Sequence, residues 1–121
     1  HPGRIIAGID AAAGLVRISG WEAETGLSDL EAARTAARIG AVEIIYTNID
    51  RDGTLEGPDI DRCALVARES GLPVIVSGGV RGPEDFDAVI EREGEGLFGI
   101  ITGKALYEGA FDLREMLERY A

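Results

Sequence analysis

Two short segments carry the residue types of an anion site: Ser77-Gly78-Gly79-Val80 and Thr102-Gly103-Lys104-Ala105. Each puts glycine between an apolar run and a helical pattern, where bare backbone can approach a ligand and N–H groups point outward, an arrangement suited to phosphate. Glycine also serves simply to permit a tight turn, so one segment alone says little and two on adjacent strands say more. Asp10 follows the run Ile5-Ile6-Ala7-Gly8-Ile9. A carboxyl at the end of such a run is partly desolvated and can give or take a proton; the alternative is a solvated turn or cap. Asp50-Arg51-Asp52-Gly53-Thr54 packs charge and glycine into one stretch, which reads either as ligand-facing or as an ordinary Asp-Gly turn. Trp21 lies outside any periodic apolar stretch, placed to stack on a flat ligand or to anchor its own loop. Cys63 and Met116 fall on helical patterns and read as packing residues. His1 and Cys63 are the only residues of their types, so no metal cluster is expected.

The elements that must position these residues alternate as βαβαβαβα. The pattern predicts strands at Ile5–Ile9, Val42–Thr47, Pro73–Ser77 and Leu97–Ile101. Ser28, three residues before Glu31, forms a capping box for a helix running to Arg38 and stopping at Gly40. Pro58-Asp59 opens a second helix that ends at Gly71, and Pro83-Glu84-Asp85 suits the first turn of a third that fades by Gly94. Leu113–Tyr120 is the last helix, preceded by a short turn at Ala105–Tyr107. Residues 20–26 are expected to be loop, and Glu84, Asp85, Glu91 and Glu118 to lie on solvated helix faces. Such an order means a parallel sheet with functional residues at the strands' C-terminal ends, where Asp10, Thr47, Ser77 and Thr102 fall. Four strands fit an open flavodoxin-like sheet or half of a (β/α)8 barrel, whose usual length of ~250 residues is about twice this one.

The chain has 121 residues, read as one domain over 1–121, and the 17 glycines imply many tight turns. Twelve basic against 22 acidic residues leave a net charge of -10, the wrong sign for nucleic acid. No apolar run approaches the ~20 residues of a membrane span, and His1-Pro2-Gly3-Arg4 lacks a signal-peptide layout, so a cytoplasmic protein without membrane contact is expected.

Taken in order, several motifs resemble a known family. They are Gly8-Ile9-Asp10, Gly20-Trp21, the run from Ile44 to Thr54, Pro73-Val74-Ile75-Val76-Ser77-Gly78-Gly79-Val80 and Gly103-Lys104-Ala105-Leu106-Tyr107. The resemblance is to the C-terminal half of the sugar isomerases of histidine biosynthesis, the ProFAR (phosphoribosylformimino-aminoimidazole-carboxamide ribotide) isomerase family, and it covers essentially the whole chain. The related cyclase subunit of imidazole glycerol phosphate synthase shares the Asp-Arg-Asp-Gly-Thr and Ser-Gly-Gly features, whereas Trp21 and the Gly-Lys-Ala-Leu-Tyr ending favour the isomerase. The resemblance implies the second half of a (β/α)8 barrel and an Amadori rearrangement of an aminoaldose to an aminoketose, with no metal or organic cofactor. It assigns Asp10 as general acid and Thr47 as a residue near the reacting sugar. Trp21 would stack on substrate, with Asp52, Gly53 and Thr54 as substrate-binding residues. Ser77, Gly78, Gly79, Thr102, Gly103 and Lys104 would bind one phosphate. The family's other catalytic aspartate and its second phosphate site belong to the half that this chain does not match.

A half barrel exposes two sheet edges and an apolar inner face, which invites a second copy. A two-fold homodimer closing into a (β/α)8-like barrel would bring the two copies of Asp10 across one mouth, between two phosphate sites that grip a ProFAR-like bisphosphate. Identical subunits start with identical acid and base environments, so binding of phosphate or sulfate is expected ahead of catalysis. Two other readings are a dimerising scaffold without activity that retains phosphate binding, and a fragment that works only with a separately encoded N-terminal half.

Overall fold

The computed structural model describes residues 3–18, 23–51, 54 and 56–120, with residues 23 and 24 described in their backbone alone. The described strands are β1 (Ile6–Ala12), β2 (Leu15–Ile18), β3 (Ala23–Ser28), β4 (Glu43–Asn48), β5 (Val74–Ser77) and β6 (Leu97–Ile100). The helices are α1 (Asp29–Arg38), α2 (Ile60–Ser70), α3 (Pro83–Glu91), the single turn α4 (Lys104–Tyr107) and α5 (Leu113–Tyr120). The expected caps form: the Ser28 side chain accepts from the Glu31 N–H, Asp59 accepts from Arg62 N–H, Gly71 closes α2 in the left-handed region, and Pro83 opens α3.

All six strands form one sheet in the order β3-β2-β1-β4-β5-β6. β1, β4, β5 and β6 are parallel neighbours in chain order. Because each right-handed crossover steps one place in the same direction, α1, α2 and α3 fall on one face of the sheet. A flavodoxin-like sheet reverses direction and carries helices on both faces, so this is the winding of half a (β/α)8 barrel.

The stretch expected to be loop after β1 differs. The strand continues through Asp10 to Ala12, so Asp10 lies inside it rather than at its end. The chain then reverses over Ala13 (φ 52°) and Gly14 (φ 78°) into antiparallel β2, with Ala12 opposite Leu15. Two consecutive positive φ values make the kind of two-residue turn that matches strand twist. β3 extends the meander, so residues 23–26 are strand, not loop. A short 3-10 turn at Glu93–Glu95 also precedes β6.

Ile9, Ala11, Ile44, Tyr46, Val74 and Val76 face the helices and pack with Ala33, Cys63, Val66, Ala67 and Val89. Cys63 and Met116 are buried packing residues, as expected. Burial pushes the Cys63 thiol up to about 12. Asp85, expected on a solvated face, is instead buried and accepts from the backbone and guanidinium of Arg81. At the C-terminal end, Phe86 of α3 meets Phe111 edge-on at 5.2 Å and stacks with Tyr120 at 5.8 Å, docking α5 on α3. No helix among the described residues is long and apolar enough to cross a membrane.

Candidate functional site

Alternation along the strands turns Gly8, Asp10, Ile45, Thr47, Ile75 and Ser77 away from the helices. The register then aligns them. Asp10 stands opposite Thr47, and Thr47 opposite Ser77, so one polar row crosses three strands on the face that the helices leave open. Beneath it runs an apolar row, with Gly8 opposite Ile45, Ile45 opposite Ile75 and Ile75 opposite Gly99. Thr47 is buried, while Asp10 and Ser77 are partly accessible. A carboxylate and two hydroxyls in a line can give and take protons and hydrogen-bond a polyhydroxyl ligand.

Gly78 and Gly79 continue from Ser77 with φ of 98° and 80°. A Cβ on Gly78 would lie 2.6 Å from the Asn48 carbonyl oxygen, and one on Gly79 would lie 2.8 Å from the carbonyl oxygens of both Arg51 and Gly57. Glycine is therefore required here by close packing of the β5–α3 turn against the β4–α2 loop. Gly103 is different: its φ is -134°, and a Cβ there would meet nothing within 4 Å. It opens α4, whose Lys104 reaches to 3.9 Å from the Glu108 carboxylate. Since β5 and β6 are neighbours, the two glycine segments leave adjacent strand ends.

Not every expected site residue joins this group. Thr54 spends its groups locally, with its N–H and hydroxyl both bonding to the Arg51 carbonyl. Thr102 lines a cavity of about 370 Å³ with Phe86, Ile100, Leu113, Met116 and Tyr120. Its hydroxyl oxygen is buried there without a hydrogen-bond partner among the described residues. Trp21, Asp52 and Gly53 lie outside the described residues. Among those described, no group of three or more His, Cys, Asp or Glu side chains is arranged to hold a metal ion.

Under the polar row lies a network that the sequence reading missed. Asp29, fully buried at the start of α1, accepts from Tyr46 Oη at 2.7 Å and Arg62 Nε at 2.8 Å. Burial pushes the Asp29 carboxyl up, but the hydrogen bonds from Arg62 and Tyr46 and the Arg62 charge outweigh it and leave the pKa below its ordinary value. The same burial, with the Asp29 carboxylate alongside, drives the Tyr46 phenol well above its ordinary range. Tyr46 precedes Thr47 and stands opposite Ile9, so the network sits directly behind both Asp10 and Thr47. The available signal was Tyr46 itself, since an inward tyrosine needs a partner for its hydroxyl.

The winding and the polar row define the class: half of a (β/α)8 barrel presenting its strand-end face. Residues 1–112 match the family model of the histidine biosynthesis proteins, and the chain belongs to that family. It is 46% identical over 117 residues to a phosphoribosyl imidazole-4-carboxamide isomerase, the ProFAR isomerase, of Rhodospirillum rubrum, covering 97% of this chain and 48% of that protein. Against the same isomerase of Pelobacter propionicus the identity is 45% over 116 residues, covering 96% and 47%. The chain thus spans about half the length of the relatives it matches, consistent with their C-terminal half.

Proposed function

We propose that this chain is a single half-barrel domain supplying one half of a cytoplasmic sugar-isomerase active site, which a second copy of itself completes. The observation that carries the reading is the row Asp10–Thr47–Ser77 on the open face. Within it Asp10 is the proton donor that helps open the aminoaldose ring, a base then removes the C2 proton, and the aminoketose results. Thr47 holds the reacting sugar. Phosphate binds at the adjacent strand ends through Ser77, Gly78 and Gly79 and through Gly103, Lys104 and the backbone of Thr102, whose hydroxyl is turned into the cavity beside Phe86. Trp21, Asp52 and Gly53 complete the substrate contacts, and Thr54, bonded to the Arg51 carbonyl, shapes the loop that carries them. No metal or organic cofactor enters this chemistry. The substrate is a ProFAR-like bisphosphate, and the relatives' names supply that substrate class.

Closure uses the two ends of the parallel sheet. Among the described residues, β2 pairs with β1 at Ala11 and Ala12, and β6 ends the sheet on the other side. Pairing β6 of each copy with β1 of the other closes eight strands and covers the apolar row. The test is turnover of ProFAR by the purified chain. Asp10→Asn is expected to abolish turnover and to leave both inorganic phosphate affinity and stability within about 0.5 kcal/mol of wild type. Unchanged turnover contradicts the role of Asp10.

A second reading, a dimerising scaffold without activity, draws support from Gly78 and Gly79, whose packing explains them without a ligand. Phosphate binding with no turnover favours it, and turnover regained on adding a separate N-terminal half favours a fragment.

A further inference from the structure

α3 begins unusually. Gly82 offers it no side-chain cap, and Pro83 follows at the first position. Asp85, the third residue of the helix, reaches back past the cap to Arg81 and accepts its backbone N–H at 2.6 Å, Nε at 3.2 Å and Nη2 at 2.7 Å. A carboxylate at this position commonly bonds the N–H of the cap residue; here it holds the residue before it, by backbone and side chain together. Asp85 is only 2% exposed while the Arg81 side chain is 45% exposed, so the grip is anchored at its buried carboxylate end by charge-assisted bonds.

Thus held, the Arg81 guanidinium lies over Gly57 of the β4–α2 loop. A Cβ on Gly57 would sit 3.1 Å from both Nε and Cζ, and Gly57 has φ of 98°. Gly57 in turn donates its N–H to the Gly79 carbonyl at 2.7 Å, while its own carbonyl accepts from Arg51 Nη1 at 3.2 Å. Asp85 thus bonds Arg81, Arg81 fills the space that a side chain on Gly57 would take, and Gly57 bonds Gly79.

We propose that Asp85 and Arg81 are positioning residues for the Ser77–Gly79 anion-binding turn, acting by holding Gly57 against Gly79 rather than by touching the ligand. The role rests on the phosphate reading above. Arg81 is already engaged by Asp85, and its Nε lies 3.7 Å from Glu84, so its contribution is geometric rather than a spare positive charge. Lysine cannot replace it, because lysine lacks the planar fork that spans Asp85 and covers Gly57.

Two measurements on the full chain separate the possibilities: calorimetric titration with inorganic phosphate, and amide hydrogen exchange at Gly57 without ligand. Arg81→Lys and Arg81→Ala are expected to weaken phosphate binding alike, by roughly tenfold, the scale of one charge-assisted hydrogen bond. Gly57 exchange should quicken by about the same factor, while Gly71, whose N–H bonds to the Ala67 carbonyl at the far end of α2, stays unchanged. Asp85→Asn should follow the arginine variants. Wild-type affinity in Arg81→Lys with loss in Arg81→Ala makes Arg81 a direct ligand and overturns the proposal. Unaltered Gly57 exchange in all three variants also overturns it. If wild type binds no phosphate, the anion reading and the positioning role fall together, and quickened Gly57 exchange would then report a purely structural clasp.

Discussion

Ile44 and Ile45 are neighbours in β4, chemically identical, and they meet opposite fates. Ile44 is completely buried against the helices, whereas Ile45 faces the open side with Gly8 and Ile75. Further along that side Ile6 is 49% and Ile101 42% exposed. Strands buried on both faces are the rule for parallel sheets, which occur almost only where both faces are covered. The chain's own helices satisfy one face, and among the described residues the other has the composition of an interior without the cover. The contrast is between a finished face and one whose apolar residues the proposed second copy would cover, with Asp10, Thr47 and Ser77 in a row upon it.

The largest effect belongs to the covered face. Asp29→Ala leaves Arg62 and the Tyr46 hydroxyl without their shared carboxylate, and loss of a buried partner of this kind costs about 3 to 5 kcal/mol. Urea unfolding at neutral pH measures it. The pH dependence follows from the lowered Asp29 pKa. The folded protein holds this carboxyl ionised at a pH where the unfolded chain, near the ordinary 3.8, protonates it. Its stabilisation is present above that value and is lost as pH falls through the lower folded pKa. Unfolding midpoints should therefore drop more steeply below pH ~4 in wild type than in Asp29→Asn.

A smaller effect tests the contrast directly. Ile44→Ala should cost about 2 to 5 kcal/mol of stability at any protein concentration. Ile45→Ala should cost well under that in dilute protein, where its face is open, and should show its main effect as weakened association. Equal losses in both variants, independent of concentration, would mean that the open face is filled by the chain itself.

Much of this was legible locally. Ser28 with Glu31, Asp59 with Gly71, and Pro83 each mark a helix end by chemistry confined to a few residues, and the structure follows them. The family motifs, also contiguous, carried the barrel and the candidate site. The β1–β2 hairpin was missed because its turn is Ala13-Gly14 rather than Asn-Gly, and alanine at φ 52° sends no signal of a reversal. Asp10 was placed at the end of its strand because Ala11 and Ala12 are too small to extend an apolar pattern. Asp85 read as an ordinary first-turn acid, and Asp29 was not singled out at all. Their burial depends on Arg81, four residues back, and on Arg62, 33 residues on, and only the second of these needs the tertiary fold. The Arg81–Asp85 spacing was available in the sequence, but the placement of Arg81 against Gly57 of the β4–α2 loop was not.

Light scattering after size exclusion over a wide concentration range shows whether a second copy completes the open face. A dimer at twice the 12.8 kDa chain mass, holding its mass on dilution and converted to monomer by Ile75→Asp, is the predicted result. A wild-type monomer at every concentration would contradict it.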